Sequence, residues 1–113
     1  MSDCLFCKII AGEIPSTKVY EDEWVYAFLD IDPQAPFHAV IVPKIHIASA
    51  AEINAENSHY VSKIFEAVAK IAAQEKLEDR FRVVNNCGKD GGQTVGHIHF
   101  HLLARRYLQW PPG

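Results

Sequence analysis

Residues Gly96–Leu103 read GHIHFHLL, with His97, His99 and His101 spaced two apart. They are half of the six histidines in the chain. On an extended strand successive side chains point to opposite faces. The three imidazoles therefore share one face, at steps of about 7 Å between Cα atoms, and Ile98, Phe100 and Leu102 share the other. The apolar set reads as the side turned to the core. Three readings of the imidazole face are open. Imidazoles two apart can converge on a metal ion that activates water. Alternatively, one is a nucleophile while its neighbours orient it, bind anionic oxygens and move protons. Neutral imidazole attacks phosphorus near pH 7 and titrates close to that pH, so a neighbour can also supply a proton. The bland reading is an amphipathic strand whose polar face happens to be histidine. Spacing alone does not choose between metal and nucleophile.

The segment leading into the strand, GKDGGQTVGH (88–97), carries Gly88, Gly91, Gly92 and Gly96. Such a loop can bring backbone N–H groups close to an anion, and Gln93 and Thr94 add side-chain donors. Alone such a loop is more often an ordinary hairpin turn; its place before the histidine strand favours the phosphate reading. Upstream, FRVVN (81–85) reads as another strand. Between Asn54 and Leu77 the apolar period changes: Val61, Ile64, Phe65, Val68, Ile71 and Ala72 mark one face of a long amphipathic helix, capped by Asn54 or Ser58. FHAVIVP (37–43) is a strand rich in β-branched residues, ended by Pro43. Before it, Asp32-Pro33 and Ala35-Pro36 mark a loop. KVYEDE (18–23) and VYAFLDI (25–31) read as two strands joined by an acidic turn at Asp22. CLFCKIIAGEIP (4–15) reads as a short N-terminal helix stopped by Gly12 and Pro15. The tail RRYLQWPPG (105–113) is irregular. Strands with short connections favour antiparallel pairing, so the expected class is α+β: one twisted sheet with one long helix across a face.

Length and composition set the outer bounds. The 113 residues, 49% apolar and 22% charged, fit one domain over 1–113. A formal charge of −3 gives no pull toward nucleic acid or a membrane surface. No apolar run approaches the roughly 18 residues of a membrane-spanning helix, and MSDCLFCK lacks the pattern of a signal peptide. Three cysteines argue against a disulfide framework and for a reducing, cytoplasmic setting.

HIHFHLL (97–103) fits the His-φ-His-φ-His-φ-φ signature (φ, an apolar residue) of the histidine-triad (HIT) superfamily. The resemblance extends over FCKIIAGEIPS, VYEDE, AFLDIDPQAP, HAVIVPKIHI, GGQTVGHIHFHLL and the closing WPPG, nearly the whole chain. DPQAP and WPPG resemble the nucleotide-binding Hint branch. The resemblance implies a homodimer in which two five-stranded antiparallel sheets join. It also implies a purine nucleotide site that cleaves AMP phosphoramidates to AMP and an amine. By motif position His99 is then the nucleophile, forming a nucleotidyl-histidine, His101 contacts phosphate and nucleophile, and His38 helps orient His99. Gln93 and Thr94 meet the phosphate and the leaving nitrogen, in the loop that holds Gly92. Leu5, Phe6, Ile9, Phe28 and Ile31 wall the purine pocket, Asp30 accepts from the ribose hydroxyls, and Asn86 reaches toward ribose or phosphate. Trp110 resembles a tryptophan near the partner's active site. Two other functions stay open: hydrolysis of diadenosine polyphosphates, which the WPPG tail disfavours, and nucleotide-dependent regulation with incidental turnover.

CLFC (4–7) has the spacing of a zinc half-site, of a thiol redox pair, or of two small buried hydrophobes. The resemblance to microbial histidine-triad proteins that carry this pair implies zinc on Cys4, Cys7, His46 and His97. Four protein ligands leave no open position, so that zinc is structural and catalysis needs no cofactor. Cys87 and His59 receive no role.

Overall fold

The computed structural model describes residues 3–113. In chain order it contains α1 (Leu5–Ile10), β1 (Lys18–Glu21), β2 (Val25–Leu29), β3 (Phe37–Pro43), a 3₁₀ turn (Ala50–Glu52), α2 (His59–Gln74), β4 (Phe81–Val84) and β5 (Phe100–Ala104). The five strands form one antiparallel sheet in the order β1-β2-β3-β5-β4. The α+β expectation holds, with the long helix on one face and the short helix on the other. No described helix is long and apolar enough to cross a membrane.

Both faces of the sheet are covered, which explains why β3 is apolar throughout except at His38. Every residue of that strand is buried. Alternation sends Phe37, Ala39 and Ile41 into the core beneath α2, with Ile64, Val68 and Ile71. Val40 and Val42 face the other way, against Phe6 and Ile9 of α1 and Phe28 of β2. The acidic turn is built as read: Asp22 Oδ1 accepts the backbone N–H groups of Trp24 and Val25. Asp22 Oδ2 accepts the Tyr20 hydroxyl proton.

Three local expectations change. Phe65, placed on the buried face of α2, is 49% exposed. It lies at the rim of the stripe, and Ala67 takes the place nearer its centre. The Ser58 side chain makes no cap bond. Asn54 instead accepts from the N–H groups of Glu56 and Asn57, closing the turn that leads into the helix. The alternation reads as strand from His97, but the ladder begins at Phe100. Extending the β3–β5 register would set Ile98 opposite Pro43, which has no N–H to donate. The Pro43 carbonyl is taken by the His97 ring, and Ile98 N–H goes to the Ile47 carbonyl. Alternation survives this: Ile98, Phe100 and Leu102 all enter the core under α2.

Candidate active site and metal cluster

The central pairing of β3 with β5 sets Val40 opposite His101 and brings His38, two residues earlier on the same face, to the same histidine. His38 Nε2 lies 2.9 Å from His101 Nδ1. The surrounding bonds assign the ring protons. The backbone N–H of Gln34 donates to His38 Nδ1 at 3.0 Å, so the proton of neutral His38 is on Nε2. It points at His101 Nδ1, with Asp30 Oδ2 3.4 Å away. His101 therefore carries its own proton on Nε2. His99 Nδ1 donates to the His97 carbonyl at 2.8 Å, which leaves the Nε2 lone pair of His99 unused. The His99 and His101 rings are 5.1 Å apart between centroids.

Burial keeps this relay neutral. Loss of hydration lowers the pKa of His38, with Asp30 and Asp32 pulling weakly the other way. Desolvation first, then neighbouring His99 and His38, push His101 down to about 4. Both folded values lie below the unfolded ones, so the unfolded chain binds more protons in acid. The stabilising effect is complete above the ordinary histidine pKa of about 6.5 and fades as pH falls from there toward the folded values. Urea melts in a chelator buffer should show stability falling from about pH 6.5 toward 4, with a shallower slope in His101→Gln. Equal slopes in the two proteins would contradict the buried neutral relay.

His99 and His101 border a cavity of about 270 Å³ between α1 and the sheet. Its apolar wall includes Leu5, Phe6, Ile9, Phe28 and Ile31, and Asp30 and Thr94 reach its lining. The structure thus brings together nine of the residues picked out by motif position. It adds Ile14, Pro15, Ser16, Leu29, Val40 and Val95, which no motif marked. A larger cleft of about 650 Å³, lined by Lys76, Arg82, Arg106 and neighbours, contains neither histidine nor thiol.

Gln93, Gly92 and Asn86 do not line the cavity. Gln93 braces its loop: Nε2 donates to the Ala48 and Val95 carbonyls, and Oε1 accepts the Gly88 N–H. Gly92 has φ +85, a left-handed turn conformation that favours glycine. A Cβ at Gly91 would sit 2.4 Å from the Cys87 carbonyl oxygen. Gly88, Gly91 and Gly92 are accounted for by this turn, whereas a Cβ at Gly96 would meet nothing within 4 Å. Sequence reading passed over Asn85, whose Nδ2 donates to the His99 carbonyl at 2.9 Å. It replaces a ladder bond where β4 has ended. The backbone of Gln34 and the carbonyl of Pro43, which set the states of His38 and His97, carry no side-chain signal at all.

The second cluster lies at the far end of the histidine segment. Cys4 Sγ and Cys7 Sγ are 3.4 and 3.5 Å from His97 Nδ1, and Cys7 Sγ is 3.4 Å from His46 Nδ1. His97 Nε2 donates to the Pro43 carbonyl at 3.0 Å, leaving the Nδ1 lone pair toward the thiols. One donor atom from each of the four residues lies within 4.8 Å of the others. Two sulfurs and two nitrogens at this separation match a tetrahedral ion with ligand bonds of about 2.0–2.3 Å. Burial and the neighbouring Cys4 raise the Cys7 pKa, so without an ion the thiol is favoured over the thiolate. The three imidazoles of the strand do not form a metal group among the described residues: His97 faces the thiols, and His99 is tied to a carbonyl. Asp30, His38 and His101 also gather one donor each, but a proton shared at 2.9 Å makes that group a relay.

The HIT domain family matches residues 11–108. The 14 kDa zinc-binding protein of Zea mays is 51% identical over 99% of this chain and 89% of its own. The purine nucleoside phosphoramidase of Escherichia coli K12 is 46% identical over 94% of this chain and 90% of its own. A crystal structure of a HIT family hydrolase from Legionella pneumophila superposes with a TM-score of 0.95 at 49% identity. It covers 98% of this chain and 100% of that one. The family match runs from just after α1 to residue 108 and contains the histidine segment, and so the chain belongs to the HIT family.

Proposed function

We propose that this protein is a purine nucleoside phosphoramidase that hydrolyses the P–N bond of AMP–amine conjugates through a covalent nucleotidyl-histidine. The carrying observation is the state of His99. Its Nδ1–H is held by the His97 carbonyl and its Nε2 lone pair is unused, at the edge of a cavity with an apolar wall and one carboxylate. The relative from Escherichia coli named for this activity supports the reading. Leu5, Phe6, Ile9, Phe28 and Ile31 enclose the purine, and Asp30 accepts from the ribose hydroxyls. The loop of Asn86, Gly92 and Gln93 acts on the phosphate side, with Gln93 serving as brace.

His99 Nε2 gives its lone pair to phosphorus while the P–N bond breaks. The departing nitrogen takes the electrons of the broken P–N bond and a proton from the Thr94–His101 side, and leaves as an amine. The His101 Nε2–H also donates to a phosphoryl oxygen, and His38 with Asp30 holds His101 in the tautomer that can do so. Water then attacks phosphorus, the N–P bond returns its electrons to Nε2, and the water proton restores the relay as AMP leaves. Cys4, Cys7, His46 and His97 would hold zinc, a closed site that supplies structural support and no Lewis acid to the reaction. We also take the protein to be a homodimer: β4 is an edge strand of the sheet, and an edge can pair with its twofold copy.

Adenosine 5′-phosphoramidate tests the reading. Chelator-treated, folded protein should release AMP at saturating substrate. Absence of AMP release, or faster release from a diadenosine polyphosphate, would overturn it.

A further inference from the structure

Helix α1 spans six residues, too few to be stable alone. Among the described residues no backbone hydrogen bond joins residues 3–15 to the sheet. The bonds of Lys8, Ala11, Gly12 and Glu13 all close within the segment. Side chains hold it in two places. One is apolar, Phe6 and Ile9 against Phe28, Val40 and Val42. The other is the pair Cys4 and Cys7 against His97 and His46. Loosening either anchor shifts the whole load of a short helix onto the other.

Two links run from the second anchor into the cavity. Phe6 meets His97 edge to face at 6.0 Å and His99 at 4.9 Å between centroids. One ring thus touches a donor of the Cys/His cluster and the histidine at the cavity. His97 is the other link: its Nδ1 faces the thiols while its carbonyl accepts the His99 Nδ1 proton at 2.8 Å. An ion that fixes the His97 ring and α1 also fixes the Phe6 wall and the orientation of His99.

We infer that the Cys4–Cys7–His46–His97 cluster and the nucleotide cavity are energetically coupled through Phe6 and the His97 carbonyl, so that a zinc-class ion tightens nucleotide binding and the nucleotide tightens retention of the ion. This rests on the reading of the cavity as a nucleotide site. Coupling between two sites is reciprocal, and about tenfold is a typical size. Calorimetric titration with AMP should therefore give an affinity about tenfold weaker for chelator-treated than for zinc-loaded wild type. Saturating AMP should slow zinc transfer to a competing chelator dye by a similar factor. Phe6→Leu keeps an apolar plug and loses the ring edges. It should retain zinc while the loaded-to-chelated ratio of AMP affinities falls toward one, a change that a purely structural role for Phe6 would not produce. Should the chelated protein unfold, the dye measurement on loaded wild type and Phe6→Leu decides alone. AMP binding that ignores zinc or zinc transfer that ignores AMP overturns the coupling, a full ratio in Phe6→Leu overturns its route through Phe6, and each leaves the nucleotide site standing. Failure of zinc-loaded wild type to bind AMP at all overturns both.

Discussion

His99→Asn is expected to lower AMP release from adenosine 5′-phosphoramidate by about 10⁴-fold or more, the scale for removing a covalent nucleophile. Asparagine suits the test because its amide nitrogen takes nearly the place of Nδ1. It can still donate to the His97 carbonyl, the bond that holds the native ring at 2.8 Å. What disappears is the Nε2 lone pair. Fold, zinc content and AMP affinity should stay close to wild type, so the loss falls on kcat. A variant within tenfold of wild type would mean that His99 is not the attacking atom. A variant that fails to bind AMP would assign His99 to binding instead. The comparison is made at saturating substrate, with and without chelation. Activity that vanishes with the ion from a still-folded wild type would make the ion catalytic and the proposed mechanism wrong.

Leu102→Ala should do the reverse. Leu102 follows the histidines on β5, is 0% exposed, and packs on the opposite face of the sheet in the core under α2. It sits on a strand hydrogen-bonded on both sides, opposite Ala39 of β3 and Val83 of β4. Neighbouring backbone there cannot easily collapse into the space. The cost is the lost transfer energy of the side chain plus a residual cavity, about 3–4 kcal/mol. For a domain of this size that corresponds to a fall in Tm of roughly 10–20 °C. Calorimetry of chelated protein measures it, and kcat per folded molecule should change little because the imidazole face keeps its bonds. A loss under 1 kcal/mol would mean that the core repacks around the gap. A large loss of kcat at full folding would mean that the two faces of the segment are not independent.

These two substitutions, three residues apart, are expected to separate chemistry from stability because alternation in an extended chain is a local property. That is why it was readable in GHIHFHLL even where the ladder later proved to begin at Phe100. The same locality made the period of α2, the strand character of β3 and the acidic turn at Asp22 legible. The motif resemblance likewise marked nine of the residues that border the cavity. It could not show that Gln93 spends its side chain on the Ala48, Val95 and Gly88 backbone. Side-chain type states what a residue can donate, not which neighbour reaches it first. Phe65 has the right phase for the core and lies half outside it, because phase fixes a direction from the helix axis and not the width of what covers it.

By itself, the order of residues determined the periods, the faces and the supply of imidazoles and thiols. Each of these depends on backbone geometry within a few residues. Tertiary structure decided what the imidazoles became. Cys4 meets His97 across 93 positions, and His38 meets His101 across 63. One histidine therefore faces thiols, one presents a lone pair to the cavity, and one completes a neutral relay. Their ring protons are assigned by the Gln34 N–H and the carbonyls of Pro43 and His97. Backbone groups of this kind are the same in every residue except proline. Only their placement by the fold gives three identical side chains three different tasks.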